Sequence, residues 1–399
     1  MKERFIFGFD FFVLPFTVGM VFALLYLSVG AVKIIISLTP KERKKFFISL
    51  LPPKIFGTIW EIIRDVLLHL KIFKKNLLLG YMHASIAFGW FLLIVIGHIE
   101  VFLYTPHRGG VLYYPIFFRY FVAEVNHTLK GAFLFFLMDF FLLIVLSGVA
   151  LAIFKRFKSK RLGMVRTTRH PLGDRVALYS LWAIFPLRLL AESFTAEISG
   201  GSFLTKSLNS MLAGIPFYNN MMELSWWLYS IALALFFFTL PLSRYMHIPT
   251  EILLILLRRA GITSQTSRGG FAEAQIYSCS SCGLCIDGCP LCSAEGKEPF
   301  TAVYFIRKLR RGSPDTPLFA QECLLCGKCT QLCPVEIDSS RLRLLKKREE
   351  SPLPTGRYSY LREAPNNNMR EGGSDKVLYY SGCMGHLTPS IYKSLLNIL

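Results

Sequence analysis

Residues 279–290 read C-S-S-C-G-L-C-I-D-G-C-P, and residues 323–334 read C-L-L-C-G-K-C-T-Q-L-C-P. Each copy holds three cysteines at intervals of three, then a fourth followed by proline. Three cysteines so closely spaced wrap a loop around one face of a [4Fe-4S] cube, and the fourth, beyond the turn, reaches the cube held by the other triplet. That crossing predicts two ligand sets. Cys279, Cys282, Cys285 and Cys333 hold cluster 1; Cys323, Cys326, Cys329 and Cys289 hold cluster 2. Zinc takes paired cysteines and calls for neither the third nor the proline. A disulfide framework belongs to oxidising compartments, whereas the charge pattern described below puts this stretch inside the cell. Cys292 is left over and reads as an inert thiol rather than a spare ligand.

Working outward, the 399 residues are 53% hydrophobic, too apolar for an ordinary soluble protein. Most of that excess lies before residue 258. The net charge of +19 gathers in loops between apolar runs and beside the cysteines. This is the distribution of a membrane protein obeying the positive-inside rule, not of a nucleic-acid groove. Nine of the ten cysteines fall between residues 279 and 333, and the tenth is Cys383. The first apolar run is long and lacks a small-residue cleavage site, so it does not read as a signal peptide.

A membrane-crossing helix needs about 20 apolar residues. Five runs qualify: 11–38, 77–104, 131–154, 176–194 and 224–246. Residues 46–75 mix apolar side chains with Lys54, Arg64, Lys71 and Lys74, which predicts an amphipathic helix lying on the membrane surface. Lys41 to Lys45 and Lys155 to Arg175 make two loops basic, whereas the loops after the second and fourth runs are poor in positive charge. This alternation predicts an N-terminus outside and the cysteines in the cytoplasm. A polar linker follows Gly261. The cluster domain covers 272–340, with one short basic helix over 300–311. A charged, Pro/Gly/Asn-rich linker covers 341–375, and 376–399 is a strand, a Gly-Cys turn and a helix start, too short to bury a core alone.

Ionisable groups within a bilayer are costly and usually have a task. His83 and His247 lie at one depth near the inner ends of the second and fifth spans, suited to ligate one haem b from opposite faces. His98 stands about 22 Å further along the second span; His127, before the third, is its best partner for a second haem, with His107 behind it. His69, His170 and His386 read as surface residues. Glu100, Asp139 and Arg188 sit in the outer half, where they suit proton transfer, propionate anchoring or, as the simpler expectation, an Asp139–Arg188 ion pair.

The five spans, with His83 early in the second and Ser243, Arg244, Tyr245, Met246, His247, Ile248, Pro249 closing the fifth, resemble the cytochrome b gamma subunit of respiratory nitrate reductases and the membrane subunit of heterodisulfide reductases. The resemblance implies that His83 and His247 bind the haem nearer the cytoplasm. The family's further histidine in the fifth span is missing. The cluster stretch, with Cys289, Pro290 and then Gly296, Lys297, Glu298, Pro299, is similar to heterodisulfide-reductase-related iron-sulfur proteins. Those continue into cysteine-rich CCG domains, whose first cysteine sits in a turn like Tyr380 to Cys383 and helps hold a noncubane cluster. The paired cysteines that complete that site are absent here, so Cys383 cannot build it alone. The whole arrangement resembles membrane oxidoreductases that pass electrons from electron-transfer flavoprotein to menaquinone, ended early.

The expected fold is therefore an all-α bundle of five transmembrane helices over 1–260, then a small α+β bacterial ferredoxin-like domain and a truncated C-terminal segment. The expected function is electron transfer in the cytoplasmic membrane through two [4Fe-4S] clusters and one or two b haems. Quinone is the expected substrate and membrane lipid the surroundings. The expected donor is a cytoplasmic electron-transfer flavoprotein, or a cysteine-rich subunit in a heterodisulfide or thiol-linked variant. A membrane anchor or docking module is the alternative of another class.

Overall fold

The computed structural model describes residues 9–122, 129–158, 168, 171–296, 298–350 and 394. Five helices are long and apolar enough to cross a membrane: α1 (Val13–Ile36), α2 (Leu77–Tyr104), α3 (Leu129–Lys158), α4 (Leu172–Ser199) and α5 (Tyr218–Thr239, continued by a 3-10 turn to Leu242). A sixth would come from Pro40–Ser49 and Lys54–Leu67 if this pair, bent by 82°, is one broken span. The chain is thus compatible with a multi-pass membrane protein. The first leg of the bent pair starts on a capping box, in which the Thr39 hydroxyl accepts from the Glu42 amide and the Glu42 carboxylate accepts from the Thr39 amide.

Helix α5 packs along both α4 and α1, and α2 packs along α3. No hydrophobic force drives helices together in lipid, so close approach relies on small residues. At the α2–α3 contact a Cβ on Gly148 would stand 2.1 Å from the Ser85 hydroxyl, and one on Gly89 2.6 Å from Val145. Helix α1 is the most peripheral, exposing Leu24, Leu25, Val29, Val32 and Ile36.

Helix α4 runs five residues beyond its expected end at 194, to Ser199, and its last two turns carry Glu192, Ser193, Thr195 and Ser199. These side chains are buried, and the hydroxyls are satisfied within the helix. Ser193 and Ser199 donate to the carbonyls four residues back, at 2.7 and 2.9 Å, and Arg188 binds Glu192 at 2.8 Å. The following segment, read as a plain external loop, contains the helix Phe203–Leu212.

At one end of the bundle α6 (His247–Arg259) leads through Gly261 to α7 (Gly270–Tyr277), and the cysteine unit follows with α8 (Ala302–Arg311) and α9 (Ser339–Glu350). The α+β expectation fails here: among the described residues this unit has helices and turns but no strand. The apolar residues of α8 recur at helical spacing, Ala302, Val303, Phe305, Ile306 and Leu309 forming one buried stripe, and this period decides for helix. The polar linker after Gly261 is pinned. The Ser267 amide and hydroxyl donate to Glu349 at 2.7 and 2.6 Å, and Arg341 donates to the Ser264 carbonyl at 2.8 Å. The linker expected from 341 is helical as far as Glu350; the rest of it, and the tail with Cys383, lie outside the described residues apart from 394.

The unit is not tethered loosely. Ile34 and Leu38 at the end of α1 and Phe46 share one buried core with Phe271, Ile276, Phe305, Leu309 and Leu342.

Candidate metal centres and the histidines beside them

The two cysteine loops repeat in backbone as well as in sequence. In the first, Ser281 and Gly283 have φ of 53° and 92°; in the second, Leu325 and Gly327 have 53° and 77°. Left-handed turns at matching positions curl each triplet so that its thiols face inward; glycine meets this need without strain, while Ser281 and Leu325 must be held there by the loop.

Two cavities result. Cys279, Cys282, Cys285 and Cys333 line one, and Cys289, Cys323, Cys326 and Cys329 line the other, the two quartets that the crossed motif predicts. Ala302, at the start of α8, and Cys329, in the short helix Lys328–Leu332, border both and stand between them. Among the described residues no three His, Cys, Asp or Glu side chains converge as ligands of a single ion. A zinc site needs that convergence. A cubane takes one thiolate at each iron corner, and thiols spread around a cavity suit it.

The surroundings of the two quartets differ. Burial pushes the thiols of Cys279, Cys285 and Cys333 up, Cys333 to about 12, against partial relief from backbone amides: Ser281 to Cys279, Val303 to Cys285, Val335 and Ile337 to Cys333. Such thiols stay protonated until a metal takes the proton's place. In the second quartet Cys326 is exposed. There the Ser339 hydroxyl donates to the Cys329 sulfur at 2.9 Å and the Leu325 amide to Cys323 at 3.4 Å. Cys292 is buried with Ile286 and Val303 in a small core that Cys279, Cys285 and Cys289 pack against, and it lines neither cavity itself.

The first quartet faces the bundle. The Thr168 hydroxyl donates to the Ser281 carbonyl at 2.8 Å. Arg310 donates to the carbonyls of Pro241 at 2.9 Å and Ser243 at 3.3 Å, with its guanidinium 4.7 Å from the centre of the Tyr277 ring. Arg307 lies 3.9 Å from Asp174, which also accepts from the Arg244 amide at 2.7 Å. On the flank Glu336 pairs with Lys71 and Arg258.

Behind this joint lie His83 and His247, each within electrostatic reach of the other. The His247 Nδ1 is 2.6 Å from the Arg244 carbonyl and must donate to it, which leaves Nε2 as the lone-pair nitrogen. Burial pushes this imidazole down to about 4, so it is neutral at pH 7. Sequence reasoning missed His69. It was expected at the surface, yet its ring stacks on His83 at 5.4 Å and burial lowers its pKa. The left-handed turn at His69, φ 53°, folds the segment back and makes this possible, and no sequence pattern announces it. Lys155 sits between the two kinds of group, close enough for its charge to act on His83 and to feel Cys282.

At the far end, His98 is exposed on the outer surface of α2, its Nδ1 donating to Ile94 at 2.8 Å. His107 lies in the 3-10 turn after α2, and His127 falls outside the described residues. The Asp139–Arg188 pair is not formed. Asp139 instead accepts from the amides of Leu204 and Thr205, both at 3.0 Å, capping the helix Phe203–Leu212, while Arg188 takes Glu192. Glu100 is buried 3.6 Å from Arg119.

Two cysteine-lined cavities on a unit seated against apolar helices fit a membrane iron-sulfur protein. Within it, residues 275–337 match the 4Fe-4S dicluster domain family, which supports bound iron-sulfur clusters and a role in electron transfer. Comparison with curated proteins returns no match, and comparison with solved structures returns none.

Proposed function

We propose that the chain is a membrane-bound electron conduit between an aqueous donor and a lipid-soluble quinone. The observation that carries this reading is the asymmetry of the two quartets: Cys326 is exposed, whereas beside the first quartet Arg310 donates to Pro241 and Ser243 at the end of α5 and Ser281 accepts from Thr168. Electrons then enter at the Cys323 side and leave at the Cys279 side. With the N-terminus outside, the entry side is cytoplasmic. Lys328 and Lys347, the latter donating to the Cys323 carbonyl at 3.1 Å, make the entry basic and suited to an acidic donor. An electron-transfer flavoprotein is the first choice of donor, and a thiol or heterodisulfide couple the second.

His83 and His247 are the residues that would hold a haem b beside the exit, with His69 behind His83. Buried neutral imidazole is the ligand such iron takes, and the His247 Nδ1 is already committed to a carbonyl. Haem b, when bound, supplies a one-electron store. The cationic groups of Lys155, Arg244 and Arg310 surround that position and suit propionate carboxylates. With His98 turned away from the bundle, one haem is proposed.

A dithionite-reduced spectrum of the purified chain tests this. It should show a haem b alpha band that His83→Leu or His247→Leu removes; an unchanged band in both variants would refute the ligands. No band, together with reduced clusters that no quinone reoxidises, would leave a docking or anchoring module instead.

A further inference from the structure

A cleft of about 590 Å³ opens between the cluster-side half of α1, the start of α6 and the length of α7. It lies within the size range of small-molecule sites and has their make-up, mostly apolar with a few polar groups. Its walls include Leu27, Ile34, Met246 and Leu253, and its polar groups include Lys33, Glu273 and Tyr277. Three observations say what such a cleft would take. First, its α1 wall belongs to the most lipid-exposed helix, with Val29 and Val32 about half exposed at 52% each, so an apolar tail can leave sideways into the bilayer. Second, Lys33 near the end of α1 is exposed and Glu273 is half-buried, so two groups able to exchange protons stand at the edge of an otherwise apolar place. Third, Tyr277 borders the cleft two residues before Cys279, and Arg310 lies against its ring from the cluster side.

We propose that this cleft binds the head group of an isoprenoid quinone, with the tail lying along α1 in the lipid. The proposal rests on the quinone-linked reading above and gives it a place, on the cluster side of the membrane rather than at the far end. Tyr277 and Lys33 supply hydrogen-bond donors for the carbonyl oxygens. Reduction balances as two electrons, delivered singly from the Cys279 side and replaced by the aqueous flavoprotein donor, and two protons from water through Lys33 and Glu273. Each carbonyl oxygen gains one O–H bond, and the ring takes both electrons.

Gly30 gives a clean test, because it lines the cleft and a Cβ built on it meets nothing within 4 Å. Gly30→Phe should fill the cleft without disturbing packing, and Lys33→Met offers a second variant on an exposed position. The full chain, loaded with clusters in phospholipid nanodiscs, is irradiated with an azidonaphthoquinone bearing an isoprenoid tail, and quinone reduction is followed in parallel. Label should map to residues 26–37 and 269–277 and be displaced by unlabelled menaquinone. Gly30→Phe should cut labelling and quinone reduction about tenfold or more while iron content stays unchanged. Label elsewhere, or reduction unaffected by both variants, overturns the site while the conduit reading survives. Label that excess phospholipid displaces but menaquinone does not makes the cleft a lipid site and overturns the proposal. A wild-type chain that reduces no quinone sinks both.

Discussion

The two cysteine loops share their four cysteines, one glycine and the closing proline and curl through the same pair of left-handed turns, yet one sits against the helix bundle and the other is more open to water. Cys285 and Cys333 are half-buried in a cavity walled by α8 and the turn after Pro334, while Cys326 is exposed. A repeated motif therefore fixes ligand chemistry, and what packs against each copy decides its place in an electron path. Burial and hydrogen bonding around the sulfurs set a cluster's potential, so the two sites should differ in potential although their ligands are alike.

The crossing of the fourth cysteines gives the largest effect. Cys333→Ser lies in the second motif but should cost the membrane-facing cluster, lowering iron and sulfide by about half. Cys326→Ser should cost the exposed one and leave the buried signal in an electron paramagnetic resonance spectrum. Loss of the same signal in both variants would break the crossed assignment.

The dryness of the membrane-facing flank can be read at Glu251 on α6. Burial raises its carboxyl to about 8, above the usual carboxylate range. A raised acid contributes stability that is fully present below its unfolded value of about 4.5 and is lost as pH rises through 8. Glu251→Gln should therefore flatten the fall in thermal stability between about pH 5 and 8 and gain up to about 5 kcal/mol at pH 9. An unchanged pH profile would mean a wet flank.

Next in size is the joint itself. Arg310 donates to the carbonyls of Pro241 and Ser243 and covers Tyr277, so Arg310→Ala should cost about 2 kcal/mol in detergent-solubilised unfolding. An effect below about 0.5 kcal/mol would show that the joint is held by its apolar core alone. The smallest effect belongs to the water-facing side of the unit, where Lys308 and Asp315 pair at 2.7 Å in the open. Asp315→Ala should change stability by less than about 0.5 kcal/mol, and less still in high salt.

Much of this was legible in the sequence because it depends on spacing. The four-cysteine periods picked out the cysteines that line the two cavities, and runs of apolar residues gave five long helices with their centres in place. What was not legible depends on partners distant in the chain. Thr195 and Ser199 looked like loop residues because their hydroxyls find carbonyls only once a helix exists. Asp139 looked like a partner for Arg188, but Arg188 had Glu192 one turn away, and Asp139 met the open amides of Leu204 and Thr205. His69 joined His83 through a single left-handed residue. The strands expected around the clusters rested on resemblance to bacterial ferredoxins, whereas the residues that flank the motifs favour helix.

The most direct test is an iron and acid-labile sulfide count on the purified full chain, with Mössbauer spectra of the iron-57 protein. Two cubanes on crossed cysteine quartets predict about eight irons and eight sulfides per chain, all in [4Fe-4S] environments. A count near four, or stoichiometric zinc in place of iron, would contradict the account.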